Sequence, residues 1–112
     1  MGKLVRAERF EDLEVWKRAH GLVLRVYNLT RDFPKEEKFG LVSQMRRAAV
    51  SIPANLAEGF KKRTLKDKSN FYNIAQGSLE ELRYYLILAK DLNYIQDNCE
   101  LNDSAEEIGK ML

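Results

Sequence analysis

A chain of 112 residues, 45% hydrophobic and 32% charged, can close one core without disulfides or a metal, so a single domain is expected. Its one cysteine, Cys99, excludes an internal bridge, and the opening "MGKLVRAERF" lacks the apolar stretch of a secretory signal. No run nears membrane-spanning length, so a cytoplasmic protein is expected. The net charge of +2 hides a split: residues 1–79 carry 16 basic and 9 acidic side chains, residues 80–112 carry 3 and 8. That asymmetry points to complementarity between copies or to a basic face for a polyanion.

Residues 1–9 read as a flexible N-terminal segment and 10–112 as one helical domain. The first helix is expected from about Phe10 or Leu13 to Asp32. Its apolar residues form two stripes, one of Trp16, His20, Val23, Leu24 and Tyr27, the other of Val15, Ala19, Leu22, Val26 and Leu29. Together they cover nearly half the circumference, wider than the apolar arc of about 100° that one core requires. A second covering surface, from another helix or another subunit, is therefore expected.

"RDFPKEEKFG" is a loop, since Phe33 precedes Pro34 and is disfavoured from helical geometry, and Lys35–Glu37 can open the next helix. Helix two carries Leu41, Met45, Ala48, Ile52, Leu56 and Phe60 in register straight through Pro53, so one kinked helix is expected, ending near Gly59. In "KKRTLKDKSNF", Thr64 followed by Asp67 has the form of an N-cap. Helix three is expected over about 65–92, with Phe71, Ala75, Ser78, Leu82, Tyr85, Ala89 and Leu92 as its bundle seam. "NYIQDNCELND" reads as a loop, with Asn102 or Asp103 capping a short or truncated fourth helix that turns Ala105, Ile108, Met111 and Leu112 inward. The fold class is all-α, an up-down-up-down four-helix bundle.

The residues offer little for catalysis. His20 is the only histidine and no glutamate stands three residues before it, so neither a di-iron nor a zinc set can be composed. It is expected at the bundle edge with one nitrogen satisfied. Ser51 and Ser78 have no histidine in a recognisable motif, and there is no P-loop. No enzymatic activity, cofactor, metal or small-molecule substrate is expected.

The segment "QMRRAAVSIPANLAEGFKKR" carries more. Pro53 deprives the Ala49 carbonyl of its intrahelical donor. The bend either wraps the helix around the core or turns Ala49, Ser51 and Asn55 towards polar contacts across an interface. Arg46 shares a flank with Val42, Val50, Pro53 and Ala57, whereas Arg47 falls beside Ser51, Ala54 and Glu58. Both arginines can be solvated, or one can pair across subunits. The candidate oligomer interface is thus Arg46, Arg47, Ser51, Ala54, Asn55 and Glu58. The run Lys61, Lys62, Arg63, Lys66 and Lys68, opposed only by Asp67, is either an ordinary charged turn or a phosphate-binding corner whose affinity falls with salt.

"FEDLEVWKRAHGLVLRVYNLT", "FPKEEKFGLVSQMRRAAVSIPANLAEG" and "NFYNIAQGSLEELRYYLILAKDLNYI" resemble the bacterial 23S rRNA-intervening-sequence proteins over about residues 10–112. Arg46, Arg47, Ser51, Pro53, Asn55, Glu58 and Gly59 match the family's signature segment. The chain is more distantly similar to the accessory protein of diversity-generating retroelements, which associates with a reverse transcriptase and nucleic acid. The resemblance implies a four-helix bundle assembled as a homopentameric ring and supplies no mechanism. Relatives commonly continue where this sequence stops early in its fourth helix. The expected function is a non-enzymatic pentameric scaffold associated with RNA or a nucleoprotein. The alternative is a purely protein-binding scaffold without nucleic-acid contact.

Overall fold

The structure is a computed structural model that describes residues 7–97 and 99–112, without the side chain of Cys99. Of the expected N-terminal segment, residues 1–6 lie outside the described residues, as does the cysteine's thiol. Four α-helices make the fold: α1 Glu14–Thr30, α2 Leu41–Lys61, α3 Leu65–Asp91 and α4 Cys99–Met111. Two short 3-10 turns, Phe10–Asp12 and Lys35–Glu37, precede α1 and α2. Contacts run round a ring of neighbours, α1 on α2, α2 on α3, α3 on α4 and α4 back on α1. This is the four-helix bundle that the periodicity implies.

Helix ends follow local chemistry. Phe10 sets its ring edge-on to Trp16 at 5.1 Å, fixing the approach to α1. At the other end Thr30 donates to the Val26 carbonyl at 2.8 Å, and Phe33 then buries itself beside Tyr94. Lys35–Glu37 forms a separate turn and not the first turn of helix two. The Thr64 hydroxyl accepts the Asp67 amide at 3.1 Å, as the N-cap reading requires. After α3, Asn93 takes a positive φ of 62°, a conformation asparagine tolerates better than most residues, and the Tyr94 amide folds back to the Ala89 carbonyl.

The core is built from Ala19, Leu22, Val23 and Val26 of α1, Met45, Ile52 and Leu56 of α2, and the inner faces of α3 and α4. Two expectations shift here. The buried seam of α3 is Ala75, Leu79, Leu82, Leu86 and Ala89. Ser78 and Tyr85 stand on its edge, Phe71 is half-buried and Leu92 is exposed, because α3 packs on two neighbours and its core line falls between them. Helix four begins at Cys99, so Asn102 and Asp103 lie within it and cap nothing. Buried Leu101 draws that stretch into the helix, while Met111 stays exposed.

Ion pairs fasten α4 at both sides. Arg18 meets Glu107, Arg25 reaches Glu100 at 3.5 Å, and Arg83 of α3 donates to Glu106 at 3.2 Å. All are surface pairs and contribute modestly. They hold α4 in register.

Candidate functional site

The signature segment lies along α2, and the structure separates its residues into two groups. Arg46 stacks its guanidinium 4.5 Å from the Tyr27 ring centre and donates to Thr30 Oγ1 at 2.9 Å. Asn55 donates through Nδ2 to the Ser51 carbonyl and hydroxyl at 2.7 and 2.9 Å. Ser78 of α3 donates to the same hydroxyl at 2.8 Å. Arg46 and Ser51 therefore join helices within one protomer, and Asn55 braces Ser51 from the same helix. Arg47, Ala54 and Glu58 are exposed.

Pro53 is buried and α2 continues through it. Gly59 is buried where α2 crosses α3, and a Cβ there would stand 2.9 Å from Tyr72 Cε1 and 3.0 Å from Phe71 Cβ. Only a residue without a side chain permits that approach.

The basic corner divides similarly. Lys68 donates its ammonium to the Gly59 and Phe60 carbonyls, at 3.3 and 2.8 Å, satisfying the C-terminal end of α2. Lys62 stands 5.0 Å from the Phe71 ring centre. Lys61, Arg63 and Lys66 are exposed. Three of the five cations remain available to a phosphate.

Sequence reasoning placed Tyr27 on a stripe but did not see what it lines. A groove of about 570 Å³ runs between α1 and α2, bounded by Tyr27, Phe39, Val42, Arg46, Arg47 and Val50. Val50 also borders a second hollow of about 360 Å³, lined by Phe10, Trp16, His20, Pro53, Ala54 and Ala57. The imidazole of His20 lies flat against Trp16, 5.2 Å between centres and 6° from parallel. Stacking, and not the expected hydrogen bond, positions it. Leu24 and Tyr27 of the wide α1 arc stay exposed, 58% and 39%.

Phe39 is 89% exposed on the groove's rim, held there by a fixed turn. The Glu37 carboxylate accepts the Leu41 amide at 3.1 Å and the Tyr94 hydroxyl at 2.8 Å. The backbone amide, then the phenol, stabilise the anion and hold this carboxyl below the usual carboxylate range. The same bond pushes the Tyr94 phenol up. A Cβ on Gly40 would lie 2.8 Å from the Glu37 carboxylate, so a larger residue here would displace that side chain from its bonds. The "EKFG" tetrapeptide was the available signal: an aromatic beside a glycine just before a helix.

Among the described residues, no group of three or more His, Cys, Asp or Glu side chains could hold a metal, and no helix is long and apolar enough to cross a membrane. The family described as 23S rRNA-intervening sequence protein matches residues 11–112. No curated protein matches. A solved structure from Bacteroides thetaiotaomicron, a protein of unknown function from the S23 ribosomal protein family, is similar at 27% identity with a TM-score of 0.80, covering 87% of this chain and 93% of that one.

Proposed function

The chain belongs to the 23S rRNA-intervening sequence protein family, and from that premise we propose that it is a non-enzymatic, cytoplasmic scaffold that assembles with copies of itself. The resemblance carried by the signature segment favours a pentamer. RNA or a nucleoprotein is its partner, engaged through the α2–α3 corner.

One observation carries the assembly reading. The α1–α2 groove joins Tyr27, Phe39 and Val50 to the hollow beside Trp16, Pro53 and Ala54, leaving a contiguous apolar surface uncovered. Faces of this kind mark protein contacts. Arg47 and Ala54 line it and are exposed, and Glu58 lines neither hollow; Arg46 ties α2 to α1, Ser51 holds α2 to α3, and Asn55 braces Ser51 within α2. The RNA reading rests on Lys61, Arg63 and Lys66, grouped on one turn and its adjoining helix end. A repeated patch of this size gains strength through multivalency.

The alternative, a scaffold that touches only protein, is favoured by the structural duties of Lys62 and Lys68. Purification from the native host, with native mass and bound nucleic acid measured together, separates the readings. An assembly carrying RNA supports the proposal, an RNA-free assembly supports the alternative, and a monomer removes both.

A further inference from the structure

The search for a second face leads to α3. Its inner seam is buried, but a second line with the same three–four spacing runs along its outside: Ile74, Gly77, Glu81, Tyr84, Leu88 and Asp91. Such spacing keeps side chains on one stripe over five turns. Ile74 and Tyr84 are 51% and 57% exposed, and Leu88 is half-buried. Gly77 has nothing within 4 Å of where a Cβ would stand. An open glycine weakens a helix relative to alanine, so this position gains the helix nothing within the protomer.

The charges of this stripe oppose those of the α1–α2 groove. Along the stripe the ionisable side chains of fixed sign are Glu81 and Asp91, both acidic. The groove's charged lining is Lys38, Arg46 and Arg47, with no carboxylate. Its adjoining hollow is lined by Phe10, Trp16, His20, Val23, Val50, Pro53, Ala54 and Ala57, with no acid either. Shapes match in kind: one surface is a ridge with an aromatic crest at Tyr84, the other a concavity floored by Val50 and small side chains. Ridge and groove are both exposed in the single chain, so neither covers the other.

We propose that the outer seam of α3 in one copy docks in the α1–α2 groove of the next, with Tyr84 as the anchor and Glu81 and Asp91 facing the basic rim. This rests on the assembly reading above and adds the face that completes it. The contact is heterologous, using two different patches on each subunit, so every open assembly keeps one free ridge and one free groove at its ends until a ring closes.

Native mass of the whole chain, by sedimentation at several concentrations, tests it with two variants. Ala54→Glu places a charge beside the groove, and Tyr84→Glu removes the ridge anchor; both positions are exposed, and circular dichroism reports whether helicity is kept. Each variant alone falls to the 13.0 kDa of one chain. Mixed in equal amounts they form a species of twice that mass, because each retains the face the other lacks. An unchanged assembly for Tyr84→Glu, or a mixture that stays monomeric, overturns the docking while leaving self-assembly standing. If Tyr84→Glu loses helicity, Ile74→Lys probes the same ridge under the same criteria. A wild-type chain that is monomeric at all concentrations removes the assembly reading and the docking together.

Discussion

The ammonium of Lys68 stands 2.8 Å from the carbonyl oxygen of Phe60, so the first turn of α3 closes the last turn of α2. The same ammonium lies over the Phe60 ring, 5.6 Å from its centre. Lys68→Met keeps the stem and removes the donor, exposing the helix end without a partner. A loss of about 1 kcal/mol is expected, as for other cations at a helix C-terminus. Lys61→Met and Lys66→Met, at exposed sites, should stay within about 0.5 kcal/mol of the parent. Urea denaturation of the three variants reads the difference.

Nucleic-acid binding should discriminate among the same cations in the opposite order. Lys61→Gln, Arg63→Gln and Lys66→Gln together remove three exposed charges and should weaken binding to single-stranded RNA at every sequence. The slope of log K against log salt should shrink by about 2 if all three touch phosphates. Lys62→Gln should change the slope less, since its ammonium already faces Phe71. An unaltered slope in the triple variant points to the protein-only scaffold.

At Gly59 two effects of opposite sign meet. Alanine is the better helix former by about 1 kcal/mol, but its Cβ would press on Tyr72 and on the Cβ of Phe71 at 2.9 and 3.0 Å. Phe71 Cβ is anchored to the α3 backbone and cannot swing aside. Overpacking of this kind costs about 1–3 kcal/mol, so Gly59→Ala should destabilise the bundle. Gly21 lies in α1 with nothing within 4 Å of its would-be Cβ. Gly21→Ala should stabilise by about 0.5–1 kcal/mol. Equal melting temperatures for the two variants would contradict the crossing geometry.

The long helices were legible because apolar spacing persists across them, and because Thr64 and Pro34 mark breaks with a definite mechanism. Register was harder. The lines Phe71–Leu92 and Ala75–Ala89 share Ala75, Leu82 and Ala89, and spacing alone does not say which flank turns inward. The side chains decide: Leu79 and Leu86 lose more by exposure than Ser78 and Tyr85, which reach partners at the surface. "CELND" misled in another way. Asn and Asp favour loops by local hydrogen bonding, yet the burial of Leu101 outweighs that preference. The candidate site was half legible. Charge shows where cations cluster, but that Lys68 reaches back to α2 and Arg46 across to Tyr27 depends on helix packing that no local pattern encodes.

Acid should weaken the turn that presents Phe39. The carboxyl of Glu37 titrates below the usual range when folded, owing to the Leu41 amide and the Tyr94 hydroxyl. Between that lowered pKa and the ordinary unfolded value, the unfolded chain binds more protons. Stability from this group is therefore complete above the unfolded pKa and is lost as pH falls through the folded one. Glu37→Gln should lower the melting temperature at neutral pH and reduce its decline on acidification. Tyr94→Phe removes one of the two donors and should show part of the same effect. Identical acid profiles for parent and Glu37→Gln would mean the carboxylate is not held as described.

The contact between Ser51 and Ser78 decides whether the signature polar residues serve the protomer or its assembly. Within one chain the Ser51 hydroxyl accepts from both Ser78 and Asn55. Ser51→Ala strands the half-buried Ser78 hydroxyl and leaves Asn55 only its bond to the Ser51 carbonyl, whereas Ser78→Ala removes one donor and leaves Asn55 in place. Replacing both serines leaves fewer polar groups unpaired than the sum of the single changes implies, because an unmade bond costs more than a deleted one. A coupling of about 0.5–1.5 kcal/mol is expected from the double-mutant cycle. An internal contact gives the same coupling at every protein concentration, since no association step enters it. A coupling that grows with concentration would instead place these hydroxyls between subunits and move the assembly surface from the α1–α2 groove to the α2–α3 side of the bundle.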